Sequence, residues 1–200
     1  MNISRVNIVL CLSIMMLITS ACGGLTKSDK PAISKWWLKP YVAGAQDVSA
    51  DTPVNVAISI KVVPGLDSDR ILTLSDDAEL GQFASARWVG HVPELVASLI
   101  ERSLQATGQF SIVSESAASR PGNCLLELEL REFFADIGPD EKTTGVRIST
   151  HGNFQCKPAA PVLIQSSVSI PVAEERMSVI VAAFQRGMNQ TTQNILNKIQ

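Results

Sequence analysis

Four cysteines and two histidines hold most of the reactive chemistry in this 200-residue chain: Cys11, Cys22, Cys124 and Cys156, with His91 and His151. A thiol can be acylated, oxidised to a disulfide or bound to a metal, and an imidazole can ligate a metal or carry a proton. Metal centres need several ligands at matched spacings, and neither histidine stands in such a spacing with a cysteine. Ser114, Ser116, Asp136 and Asp140 supply the remaining residue types of a hydrolase. No G-x-S-x-G, no H-E-x-x-H and no paired-carboxylate arrangement organises them, and scattered hydroxyls and acids ordinarily face solvent. The expectation is a non-enzymatic chain with no catalytic residues, no metal site and no cofactor.

Cys22 differs from the other thiols in what precedes it. Arg5 is the only charged residue before it, Ile8 to Ile18 is almost unbroken apolar sequence, and Thr19, Ser20 and Ala21 are small. Basic end, apolar middle and small-residue cleavage site are the order of a secretory signal. The run is short for a bilayer, since a transmembrane helix needs about 20 apolar residues. Ala21 directly before a cysteine resembles the lipobox of bacterial lipoproteins, in which the thiol is acylated and the signal is removed. The competing readings are an ordinary secreted protein or a membrane anchor that happens to contain a cysteine. The lipobox reading makes residues 1–21 a signal peptide and Cys22 the lipidation site, carrying acyl chains of the palmitate kind. Each buried CH₂ contributes about 0.8 kcal/mol, and several chains together give stable anchoring. By the same resemblance, Gly23 in place of an aspartate favours the outer membrane.

Residues 22–34 (CGGLTKSDKPAIS) are small, polar and proline-interrupted, the composition of a tether. Residues 35–200 fit one domain. Losing Arg5 takes Lys+Arg from 17 to 16 against 19 Asp+Glu, a formal charge of −3. No basic patch stands out, which argues against a nucleic-acid partner.

The elements that position these residues follow from apolar periodicity. Trp36 and Trp37 either form an exposed interfacial or partner-binding patch or lie in a first strand with opposite orientations; the strand is favoured. Val54 to Val63 alternates as a half-buried strand, Pro64-Gly65 ends it, and Arg70 to Leu74 forms the next. A further extended piece runs through Leu80 to Trp88. Pro93 opens a helix whose stripe is Leu95, Val96, Leu99, Ile100 and Leu104, and Gly108 closes it. Phe110 to Val113 and Val162 to Ile170 read as strands. Ala173 to Ile199 reads as a long helix through Ile180, Phe184, Met188, Ile195 and Ile199, weakened at Gly187. This order predicts an α+β fold, a mainly antiparallel sheet with two helices packed on one face.

Between Asn123 and Pro171 the alternation is sharp enough to set a register. Cys124, Leu126, Leu128 and Leu130 share one face, as do Val146, Ile148, Phe154 and Cys156 beyond a turn near Pro139-Asp140. Antiparallel pairing about that turn makes opposing residue numbers sum to roughly 280. Cys124 then faces Cys156, Leu126 faces Phe154, Glu129 faces His151 and Phe134 faces Val146. With Cys11 removed and Cys22 acylated, two thiols remain in an oxidising compartment, and a Cys124–Cys156 disulfide is expected. The alternative is a pair of buried reduced cysteines.

Arg70-Ile71, the run from Phe83 to Val113, the Leu/Glu strand from Cys124 to Phe134 and the terminal amphipathic helix resemble the ABC-type transport auxiliary lipoproteins. The resemblance spans most of residues 36–199. It implies a periplasm-facing, outer-membrane-anchored lipoprotein that works beside an MCE-domain protein and an ABC transporter, helping lipids or other hydrophobic molecules cross the envelope. It also implies a homo-oligomeric ring. The chain has no Walker A motif, so a partner would consume any ATP. On this reading Trp36, Trp37, Arg87 and Trp88 are the candidate partner-binding residues, the competing reading being ordinary core or rim aromatics. The alternative is an envelope-assembly lipoprotein that plugs or chaperones an outer-membrane barrel.

Overall fold

In a computed structural model, which describes residues 32–42 and 52–200, the chain runs as four strands, an α-helix, four more strands and a second α-helix. They are β1 (Ser34–Trp36), β2 (Val54–Val62), β3 (Arg70–Ser75), β4 (Leu80–Trp88), α1 (Val92–Ala106), β5 (Phe110–Ile112), β6 (Cys124–Ile137), β7 (Thr143–Cys156), β8 (Val162–Pro171) and α2 (Met177–Ile199). A single 3₁₀ turn, Glu115–Ala117, lies between β5 and β6.

β6 is the axis of the sheet. Along one edge it pairs antiparallel with β7, which pairs antiparallel with β8. Its other edge is shared by two strands in succession: β2 runs parallel to Cys124–Leu130, and β3 runs parallel to Ala135–Ile137. β2 and β3 therefore point the same way and lie end to end, interrupted by the turn at Gly65, whose φ of 95° suits glycine. β5 extends the sheet beyond β2, and β4 and β1 extend it beyond β3.

The sheet is mixed, which corrects the mainly antiparallel expectation. β1–β4, β2–β5, β2–β6 and β3–β6 are parallel, whereas β3–β4, β6–β7 and β7–β8 are antiparallel. The parallel pairs join segments far apart in the chain; β2 reaches β5 only across β3, β4 and α1. Such crossovers leave no turn signature, while hairpins do.

The predicted hairpin register holds from Cys124 opposite Cys156 to Leu130 opposite Thr150, with Glu129 opposite His151. It then slips by one. Arg131 is an extra residue on β6, so Phe134 faces Arg147 and Ala135 faces Val146, correcting the expected Phe134–Val146 pair. A bulge inverts the faces that follow it, because side chains alternate with period two. Phe133 and Ala135 are consequently buried beside Leu130, and Phe134 lies under the Arg147 guanidinium, 4.9 Å from its ring centroid. The bulge falls where β6 changes partner from β2 to β3.

Both helices pack on the sheet and contribute to one continuous core. α1 begins with proline in its first turn and is followed by Gly108 at φ 70°, the punctuation its sequence carries. α2 crosses β7 and β8, and Gly187 lets it approach: a Cβ there would stand 2.8 Å from Ile148 Cδ1. Trp88, Phe133 and Phe184 meet at the centre, with ring centroids 4.9 to 5.6 Å apart. One aromatic each from β4, β6 and α2 thus ties the three elements together. Cys124 and Cys156 are joined as a disulfide, their Cα atoms 4.1 Å apart across the β6–β7 pair.

Candidate interaction surfaces

The four residues singled out near the tryptophans occupy different environments. β1 pairs parallel with β4, aligning Trp36 with Trp88, and the Val89 N–H donates to the Trp36 carbonyl at 3.0 Å. Trp88 is 1% exposed and belongs to the core. Trp36 is half-buried against it. Arg87 turns its guanidinium back onto its own strand, donating to the carbonyls of Phe83 at 2.9 Å and Ala86 at 2.7 Å. Trp37 is the surface member of the group, 58% exposed. Its ring lies over the Arg102 guanidinium of α1, 5.3 Å from the centroid, a cation–π arrangement that holds an exposed indole in place.

Trp37 is seated by the segment that follows it. The Tyr41 N–H donates to Ser103 Oγ on α1 at 2.9 Å, and the Lys39 backbone exchanges two bonds with the Gln185 amide on α2. Leu38, between Trp37 and Lys39, is fully buried. The chain therefore crosses both helices before Val42. Periodicity along the sequence did not single out Arg102, whose contact with Trp37 depends on how α1 lies beside β1.

A second surface is the sheet face turned away from the helices. Ser59, Lys61, Glu127, Glu129, His151 and Asn153 line a shallow open depression of about 250 Å³ on it. A neighbouring one of about 280 Å³ is lined by Arg131, Ser149, His151, Gln165 and Ser167 among others. His151 Nδ1 and the Gln165 amide are 3.1 Å apart, and Arg131 donates to Glu129 at 2.7 Å. At the far end of the same pair of strands, Arg147 binds Asp136 through Nε and Nη2, at 2.7 to 3.0 Å, and reaches Glu132 at 3.3 Å. The hydrogen bond to Asp136 raises the Arg147 pKa above its ordinary value. These groups form hydrogen bonds and ion pairs with one another and offer further donors and acceptors to a polar surface.

The residues with hydrolytic potential are dispersed. Ser114 and Ser116 bond each other at 3.0 Å, His91 bonds Asp67 at 2.9 Å, and His151 bonds Gln165. Among the described residues no hydrogen bond joins a histidine to a serine, and no three His, Cys, Asp or Glu residues gather as a metal site. Also among the described residues, no helix is long and apolar enough to cross a membrane. The signal peptide expected at 1–21, Cys22 and the tether as far as residue 31 lie outside the described residues.

Two solved structures share this fold. The protein XCC0632 from Xanthomonas campestris superposes with a TM-score of 0.66 at 14% identity, covering 82% of this chain and 92% of that one. A structure described as an uncharacterized protein gives 0.65 at 13% identity, covering 84% and 99%. No curated protein matches. The family model for the ABC-type transport auxiliary lipoprotein component matches residues 38–196, from the buried Leu38 to the last turn of α2. The chain belongs to the ABC-type transport auxiliary lipoprotein component family.

Proposed function

We propose that this protein is a non-enzymatic accessory component of an MCE/ABC transport system, anchored in the outer membrane by an acylated Cys22 and facing the periplasm. Its cargo would be lipids or other hydrophobic molecules moving between the two membranes. The observation that carries this reading is the family match over residues 38–196. Three features support it. The sequence before Cys22 has the order of a lipoprotein signal, so attachment needs no spanning helix. The Cys124–Cys156 disulfide suits an oxidising compartment. The two open depressions share an uncovered polar sheet face, a shape suited to docking against another protein.

The test is a detergent pull-down from native membranes through a C-terminal tag, followed by mass spectrometry without reduction. The expected result is an MCE-domain protein with ABC transporter subunits, an N-terminal peptide beginning at acylated Cys22, and the Cys124 and Cys156 peptides linked. A homo-oligomeric ring would appear as a discrete high-mass species of the same sample. Recovery of an outer-membrane barrel in place of the MCE protein would overturn the transport role. An unmodified, soluble chain would overturn the anchor.

A further inference from the structure

We propose that Trp37 is a bilayer contact, and that the face around it holds the domain against the headgroups of an anionic membrane in one orientation. The proposal deepens the reading of Cys22 as a lipid anchor and rests on it for its reach.

Trp37 and Val89 follow the aligned ends of β1 and β4, and both are exposed, 58% and 39%. Tryptophan favours the membrane–water interface, where its amphipathic ring sits at the level of the headgroups. The surrounding cations are Lys35, Lys39 and Arg102, with Lys35 and Lys39 themselves exposed. Aromatic and basic groups side by side are the chemistry that recognises an interface of apolar chains beneath anionic headgroups.

Charge is distributed along the chain in the sense this requires. Between Cys22 and Val42 there are four lysines, 27, 30, 35 and 39, against Asp29 alone. That stretch carries +3 in a mature chain of −3, so residues 43–200 carry −6. An anionic surface attracts the tether and, through Lys35 and Lys39, the start of the domain, and repels the net negative remainder, which selects an orientation. Proximity does the remainder. Lys35 stands thirteen positions after Cys22, at most about 45 Å of extended chain. A short linker holds a tethered surface at an effective concentration of roughly millimolar, so even a weak patch is occupied.

The experiment uses the full mature chain purified from membranes, its N-terminal peptide weighed first. That mass alone decides the anchor. The chain is then reconstituted into phosphatidylcholine vesicles with and without phosphatidylglycerol, half of them carrying bromine on the acyl chains close to the headgroup. Trp88 is buried and Trp36 half-buried, so quenching by brominated lipid reports chiefly Trp37. Quenching in the phosphatidylglycerol vesicles that disappears in Trp37→Phe is expected. Lys35→Ala and Lys39→Ala in the same chain with Cys22→Ser should each weaken vesicle binding about fivefold. Equal emission from the parent chain in brominated and unbrominated phosphatidylglycerol vesicles would overturn the proposal. So would a Trp37 that stays as open to aqueous iodide on vesicles as in solution, the result expected if a protein or water faces it. An unacylated peptide with lipid quenching intact would remove the anchor and keep the contact.

Discussion

At Gly152 the two longest strands approach too closely for a side chain. A Cβ built there would overlap the Glu127 carbonyl oxygen and stand 2.9 Å from both the Glu127 carbonyl carbon and Leu128 Cα. Backbone on the central strand cannot yield as a flexible side chain would. Gly152→Ala should therefore lower stability by about 3 kcal/mol, the upper end for overpacking. Gly90→Ala, where nothing lies within 4 Å, should stay within about 0.5 kcal/mol of the parent in the same thermal melts. His91 makes a different kind of test. Its hydrogen bond to Asp67 holds the imidazole pKa above the ordinary value of about 6.5. The folded-state pKa lies above the unfolded one, so the stabilisation is complete below about pH 6.5 and fades as pH rises through the folded value. Measured from pH 6 to pH 9, the difference in Tm between the parent and His91→Ala should be small and should shrink as the pH rises. An unchanged difference across that range would show that the pair contributes through packing alone.

At the scale of elements, α2 illustrates how a local weakness serves a tertiary contact. A glycine inside a helix costs about 1 kcal/mol against alanine, and by propensity alone Gly187 is a defect. Its place above Ile148 and Ile170 explains it, because the helix backbone rests directly on β7 and β8. Gly187→Ala alone should gain little or lose stability. Combined with Ile148→Val, which removes the Cδ1 atom 2.8 Å from the new methyl, it should be about 1 kcal/mol better than the sum of the two single changes in urea unfolding. Strict additivity would mean that the helix shifts instead. The bulge at Arg131 belongs to this scale as well. One added residue puts Phe133 and Ala135 on the face of Leu130 and sets Phe134, also buried, against Arg147, and the alternation on either side of it looks unbroken along the chain. That is why the cysteine end of the hairpin was legible and the Phe134 end was displaced by one.

At the scale of the molecule, the Trp88, Phe133 and Phe184 cluster joins β4 and the C-terminal helix to the central strand. Phe184→Ala should cost about 3–5 kcal/mol. That is a large share of the roughly 5–15 kcal/mol that stabilises a domain, so fluorescence and circular dichroism should lose their signals together, at a lower denaturant concentration. Separate transitions would show that the sheet survives without the cluster. The residues themselves determined the strands, both helices, the Cys124–Cys156 pairing and the lipoprotein-like start, because each depends on periodicity or spacing within a few dozen residues. Tertiary structure alone decided the parallel pairings, the end-to-end run of β2 and β3 along β6, and the different fates of the tryptophans. Trp36-Trp37 and Arg87-Trp88 look alike as dipeptides. Trp88 is buried because Phe133 and Phe184 arrive against it from β6 and α2, and Trp37 is exposed beyond the end of β1, with the Arg102 guanidinium of α1 over its ring. Burial is a property of what arrives from elsewhere in the chain, and neighbouring residues along it carry no record of that.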